Sequence, residues 1–121
     1  MKILIVEDEE ALAVVLGEKL EKLEHDVKIA KDGELAITFA RSFKPEMILL
    51  DLILPKKDGF TVLKELKIDP ELSGVPVIVL SNLGEDDNIK KALSLGAKDY
   101  FVKSQHPINE IVEKIEAIHV A

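Results

Sequence analysis

A chain of 121 residues with 47% hydrophobic and 32% charged side chains has the composition of one soluble globular domain, long enough to bury a core. Zero cysteines exclude disulfides, thiolate metal sites and a cysteine nucleophile, and fit the cytoplasmic location we expect. The net charge of −7 argues against direct nucleic-acid binding through the overall field, no apolar run is long enough to span a membrane, and Met1-Lys2-Ile3 leads straight into a strand pattern rather than a secretory signal.

The apolar pattern switches repeatedly between short continuous runs and helical spacing. A strand is expected at 3–6. Leu12, Val15, Leu16, Leu20 and Leu23 then recur three and four residues apart, with Glu9 and Glu10 suited to the positive end of a helix. Val27-Lys28-Ile29 reads as a short, weak strand. Asp32-Gly33 turns the chain into a second helix marked by Leu35, Ala36, Phe39, Ala40 and Phe43 and stopped before Pro45. A strand at 46–50 leads through a loop to a third helix carrying Phe60, Leu63 and Leu66, with Asp58 as its N-cap. The strand at 76–80 precedes a fourth helix, opened by Glu85-Asp86-Asp87 and ended by Gly96. After a strand at 99–102, Pro107 starts a fifth helix carrying Ile108, Ile111, Val112, Ile115 and Ile118. Gly17 stands inside the first helix, where it suggests close packing, and His25, His106 and His119 show no metal spacing and read as surface residues.

Five strand–helix units with continuous apolar strands imply an α/β fold, a parallel sheet covered on both faces. Right-handed crossovers make it doubly wound, with ligands beyond the carboxyl ends of the strands. Four strands end there in polar residues: Glu7-Asp8, Asp51, Ser81 and Lys103. Carboxylates about 4 Å apart repel by roughly 4 kcal/mol at an effective dielectric of 20, so Glu7, Asp8 and Asp51 call for a cation. An all-oxygen set suits Mg²⁺, with Mn²⁺ as substitute. Asp51 is then the candidate nucleophile for a phosphoryl group, with Lys103 a point charge and Ser81 a hydrogen-bond donor on the phosphoryl oxygens.

With those pieces in place, the chain resembles the receiver domain of two-component response regulators over nearly its whole length. The matching segments are ILIVEDEE (3–10), MILLDLILPKKDGF (47–60), VPVIVLS (75–81) and ALSLGAKDYFVK (92–103). The resemblance implies a flavodoxin-like sheet of order 2-1-3-4-5 in one domain spanning 1–121. It implies that Asp51 accepts phosphate from a phosphohistidine on a sensor histidine kinase or histidine phosphotransfer protein. Glu7, Asp8, Asp51 and the backbone carbonyl of Ile53 would hold Mg²⁺. Ser81 is similar to the switch hydroxyl and Tyr100 to the switch aromatic. The helix 4–strand 5–helix 5 face, roughly 85–118, would signal to a downstream protein. Such a chain is a monomer or a weak, phosphorylation-dependent dimer, and is no enzyme beyond its own phosphorylation and autodephosphorylation.

Three departures from the family pattern carry expectations. Ser104 follows Lys103 where the family usually has proline, so the loop 103–107 should be built differently. Ile53 and Leu83 are apolar where polar residues often orient a hydrolytic water, so autodephosphorylation should be slow. Glu7 replaces an aspartate without removing a ligand. A pseudo-receiver that binds without phosphorylation is the alternative reading. A flavin binder lacks its phosphate loop here, and the D-x-D-x-T phosphatase pattern is broken at Ile53. The chain ends at Ala121 soon after its fifth helix, so it either acts alone or belongs to a longer regulator.

Overall fold

The computed structural model describes residues 1–120, with side chains described through residue 118. Strands β1 (Lys2–Val6), β2 (Asp26–Ala30), β3 (Met47–Leu50), β4 (Val77–Ser81) and β5 (Asp99–Val102) form one sheet. All pairings are parallel and the order is β2-β1-β3-β4-β5. Helices α1 (Glu10–Lys22), α2 (Gly33–Phe43), α3 (Gly59–Ile68), α4 (Asp86–Ser94) and α5 (Ile108–Val120) follow the strands in turn, with a 3₁₀ turn at Lys103–Gln105 before α5. The flavodoxin-like architecture implied by the resemblance is the one observed.

The strand residues alternate between two cores, because successive side chains point to opposite faces. Ile3, Ile5, Met47, Leu49, Ile78, Leu80 and Phe101 pack with α1 and α5. Leu4, Val6, Ile48, Leu50, Val77 and Val79 pack with residues of α2, α3 and α4. Both faces being covered explains why the strands read as continuous apolar runs. β2 is longer than its weak pattern suggested; as an edge strand it exposes Asp26, Lys28 and Ile29, which blurs the apolar signal.

Helix ends follow local chemistry. The Asp32 and Asp58 carboxylates cap α2 and α3 by accepting the N–H groups of Leu35 (2.8 Å) and Thr61 (3.1 Å). Gly96, at φ +107°, closes α4 with its N–H on the Leu93 carbonyl and that of Ala97 on the Ala92 carbonyl. Pro107 lies just outside α5, its carbonyl accepting the Ile111 N–H at 3.1 Å.

Three expectations are corrected. The inner stripe of α1 is Ala13, Leu16, Gly17 and Leu20, while Val15 and Leu23 are 40% and 45% exposed; small residues let the helix sit close and turn the larger ones outward. Gly17 is not needed for clearance, since a methyl there would meet Val27 and Ile29 at 3.6 and 3.7 Å, ordinary contact. His25 is buried rather than superficial: Nδ1 meets the Met1 amine at 3.0 Å and Nε2 meets the Glu116 carboxylate. His106 is half-buried, edge-on to Phe101 and paired with Glu110 at 2.9 Å. The His119 side chain lies outside the described residues. No helix among the described residues is long and apolar enough to cross a membrane.

Candidate functional site

The sheet order reverses between β1 and β3, so the crevice beyond their carboxyl ends is where an open α/β sheet offers a binding site. Val6 is level with Leu50 in the register. The next residues on the two strands, Glu7 and Asp51, therefore emerge side by side. Asp51 donates its N–H to the Val6 carbonyl at 3.0 Å, and Glu7 its own to Ala30 at 2.9 Å, so both backbones continue the ladder while the side chains face the crevice.

Glu7, Asp8 and Asp51 each offer an oxygen within 4.8 Å of the others. Glu7 and Asp51 are buried and Asp8 is exposed, which leaves the cluster open on one side. Lys103 reaches in from the end of β5, its Nζ 2.5 Å from Glu7 Oε1 and 2.9 Å from Asp51 Oδ2. Asp51 Oδ1 accepts the Ile53 N–H at 3.3 Å, and Glu7 Oε2 accepts the Glu9 N–H at 3.0 Å. One cation thus satisfies two of three carboxylates, and the residual negative charge faces an open groove of about 200 Å³ lined by Asp8, Glu9, Asp51, Ile53, Asn82 and Lys103. A larger groove of about 470 Å³ lies alongside between α1 and α2; it shares Glu7 and Asp8, but its remaining wall is mainly apolar, and the reactive groups face the smaller one.

Electrostatics agree with a site that calls for positive charge beyond Lys103. Burial pushes Glu7 up to about 7; hydrogen bonds from Lys103 and the Glu9 N–H pull it back only in part, and neighbouring Asp51 adds to the rise. Burial works against the charge on Lys103, yet its hydrogen bonds to Glu7 and Asp51 hold it above the ordinary lysine range. Three carboxylate ligands with one open side fit a hard divalent cation such as Mg²⁺, which takes oxygen donors and retains waters.

The loop after Lys103 retains this geometry without the family's proline. Residues 103–105 make a 3₁₀ turn, and no described peptide bond is cis. Ser81 is fully buried at the end of β4, opposite Val102, and its hydroxyl accepts the Leu83 N–H at 3.3 Å. The Tyr100 hydroxyl donates to the Leu83 carbonyl. Burial raises its pKa, as does the charge of Asp51, against the lowering effect of a hydrogen bond with Ser81. Both residues expected to switch therefore meet at the loop after β4. Ile53, 57% exposed, and Leu83, half-buried, put apolar surface beside the carboxylates.

Sequence reasoning did not single out Gly59. It opens α3 directly against the backbone of Asp51 and Leu52: a Cβ there would lie 2.4 Å from both the Asp51 carbonyl oxygen and Leu52 Cα. Its N–H donates to the Leu52 carbonyl at 2.9 Å. The signal was the Asp58-Gly59 pair, in which the cap was legible and the close approach was not.

The chain matches the response regulator receiver domain family over residues 3–116. It is 38% identical over 117 residues to the alkaline phosphatase synthesis transcriptional regulatory protein PhoP of Bacillus subtilis, covering 97% of this chain and 48% of that protein. It thus spans about half the length of that relative. Among solved structures, the signal receiver domain of a DNA-binding response regulator from Colwellia psychrerythraea is similar with a TM-score of 0.91 at 28% identity, covering 100% of this chain and 99% of that one. The phosphorylated cyanobacterial phytochrome response regulator RcpA is similar with a TM-score of 0.83 at 36% identity, covering 97% and 89%. The chain belongs to the response regulator receiver domain family.

Proposed function

We propose that this receiver domain is a phosphorylation-dependent switch in a two-component relay. Asp51 takes a phosphoryl group from a phosphohistidine on a sensor histidine kinase or histidine phosphotransfer protein. The observation that carries the reading is the Lys103 ammonium at 2.9 Å from the carboxylate of Asp51, within a three-carboxylate cluster. An Asp51 oxygen attacks phosphorus, the P–N bond of the donor breaks, and the imidazole nitrogen keeps the electron pair and takes up a proton. Mg²⁺, or Mn²⁺ in its place, held by Glu7, Asp8, Asp51 and the Ile53 carbonyl, would supply the positive charge that lets an anionic donor approach. Lys103 then offers its charge to one phosphoryl oxygen and Ser81 its hydroxyl to another, so positioning and neutralisation do most of the catalysis.

Drawing Ser81 toward the phosphoryl group releases the Leu83 N–H that its oxygen accepts, and Tyr100 is tied to the same residue's carbonyl. The change passes along α4, β5 and α5 to a downstream protein partner. The chain itself contacts neither nucleic acid nor membrane, works in the cytoplasm, and is a monomer or a weak dimer formed on phosphorylation. Its only catalysis is its own phosphorylation and slow autodephosphorylation. Incubation with acetyl phosphate and Mg²⁺ tests the reading: intact mass rises by about 80 Da in the wild type and not in Asp51→Asn. A wild type that gains nothing leaves the pseudo-receiver reading in its place.

A further inference from the structure

The loop that leaves β3 with Asp51 is held from a second element, the start of α2. Gly33, the first residue of that helix, donates its N–H to the Pro55 carbonyl at 3.3 Å, and Lys57 donates to the same carbonyl at 2.7 Å. Buried Asp32 caps α2 through Leu35 and also faces Lys56, with Nζ 3.8 Å from Oδ2. Lys56 has φ +67°, a left-handed conformation that is strained for a non-glycine residue and persists where its surroundings enforce it. Lys57 continues the grip, its Nζ on both Glu65 oxygens at 2.7 and 3.0 Å.

The tightest point is Gly33 itself. A Cβ there would lie 1.9 Å from the Lys57 carbonyl oxygen, 2.6 Å from Lys57 Cβ and 2.7 Å from the Lys57 carbonyl carbon. Two of those three atoms are backbone, so no rotamer change relieves the overlap; either the loop or the helix start has to move. The far side of the loop has no slack, because Gly59 is hydrogen-bonded to Leu52 and abuts Asp51. Displacing residues 55–57 therefore moves the Ile53 carbonyl and the Asp51 side chain, whose Oδ1 accepts the Ile53 N–H.

We propose that Gly33 is a positioning residue for the acceptor site: its missing side chain lets the Lys57 backbone close against α2 and so sets the loop that presents Asp51 and the Ile53 carbonyl. The proposal rests on the phosphoacceptor reading given above. It touches neither the phosphoryl group nor the metal directly, and its effect resembles that of outer partners of metal ligands, whose loss typically costs 10–100-fold in affinity.

The test compares ¹⁵N-labelled wild type, Gly33→Ala and Gly74→Ala, the last at a glycine with nothing within 4 Å of an added Cβ. Each is titrated with MgCl₂ by following the Ile53 amide, its thermal unfolding is recorded, and its phosphorylation rate by acetyl phosphate is measured at saturating Mg²⁺. Folded Gly33→Ala should bind Mg²⁺ roughly tenfold or more weakly and react more slowly even at saturating metal, while Gly74→Ala follows the wild type. A lower melting temperature with unchanged Mg²⁺ affinity and rate means a purely structural glycine and overturns the proposal. Should Gly33→Ala not fold, Asp32→Asn retains an oxygen for Leu35 but loses the charge facing Lys56. It should weaken Mg²⁺ binding in the same direction, and wild-type affinity in that variant overturns the proposal equally. A wild type that takes no phosphate overturns the functional reading itself and the positioning role with it.

Discussion

Replacing Lys103 by methionine keeps most of the side-chain stem and removes the cation on which the metal-free site depends. Its Nζ contacts Glu7 and Asp51 at 2.5 and 2.9 Å, and the three side chains are 11%, 3% and 7% exposed. Breaking a buried ion pair by deleting one partner costs about 3–5 kcal/mol. Here the open side at Asp8 and proton uptake by Glu7 relieve part of that, so a loss of about 2–3 kcal/mol is expected near pH 8 in EDTA. An unfolding entropy of roughly 2.1 cal/mol/K per residue gives about 0.25 kcal/mol/K for this chain, so Lys103→Met should melt about 8–12 °C below wild type. Near pH 5 the deficit shrinks, because Glu7 then carries a proton and only one buried carboxylate loses its partner. Calorimetric scans at the two pH values, with and without MgCl₂, provide the assay. Equal melting of variant and wild type near pH 8, or a deficit independent of pH, would refute the reasoning.

Further predictions concern pH, packing and lifetime. Because Glu7 is raised from 4.5 to about 7 in the folded protein, the stability it contributes is complete below about 4.5 and is lost as pH rises through about 7. Metal-free wild type should lose about 2–3 kcal/mol between pH 5 and 8, and denaturant titrations of Glu7→Gln should show a flatter profile; parallel profiles would sink the assignment. Gly17→Ala should stabilise the protein by about 0.5–1 kcal/mol, read from the urea midpoint, since the helix gains propensity and the methyl has room. The phosphorylated protein, followed by mass after removal of excess acetyl phosphate, should hold its phosphate well beyond seconds. Ile53→Asn should shorten that lifetime, and an unchanged decay would remove the apolar wall as its cause.

Much of the architecture was legible because its causes are local. Strands buried on both faces read as unbroken apolar runs, and the caps at Asp58 and Gly96 carry chemistry visible one residue at a time, whereas Asp32 read only as a turn and proves to cap α2. The cluster of Glu7, Asp8, Asp51 and Lys103 was legible for a topological reason, since a parallel sheet gathers its strand ends at one edge. What escaped depends on packing between elements. The rotation of α1 that exposes Val15 is set by small residues on its inner side. The burial of His25 depends on α5 supplying Glu116 from far along the chain. The close approach of Gly33 to Lys57 and of Gly59 to Asp51 is a matter of clearance, which composition does not record.

The most direct test of the central claim locates the phosphate. After acetyl phosphate and Mg²⁺, borohydride reduction converts an acyl phosphate on an aspartate to homoserine, and peptide mass mapping then identifies the residue. The account predicts homoserine at position 51 alone, and none when Asp51 is replaced by asparagine. Homoserine at Glu7's neighbour Asp8 or elsewhere with Asp51 intact, or no reduced residue at all, would contradict it.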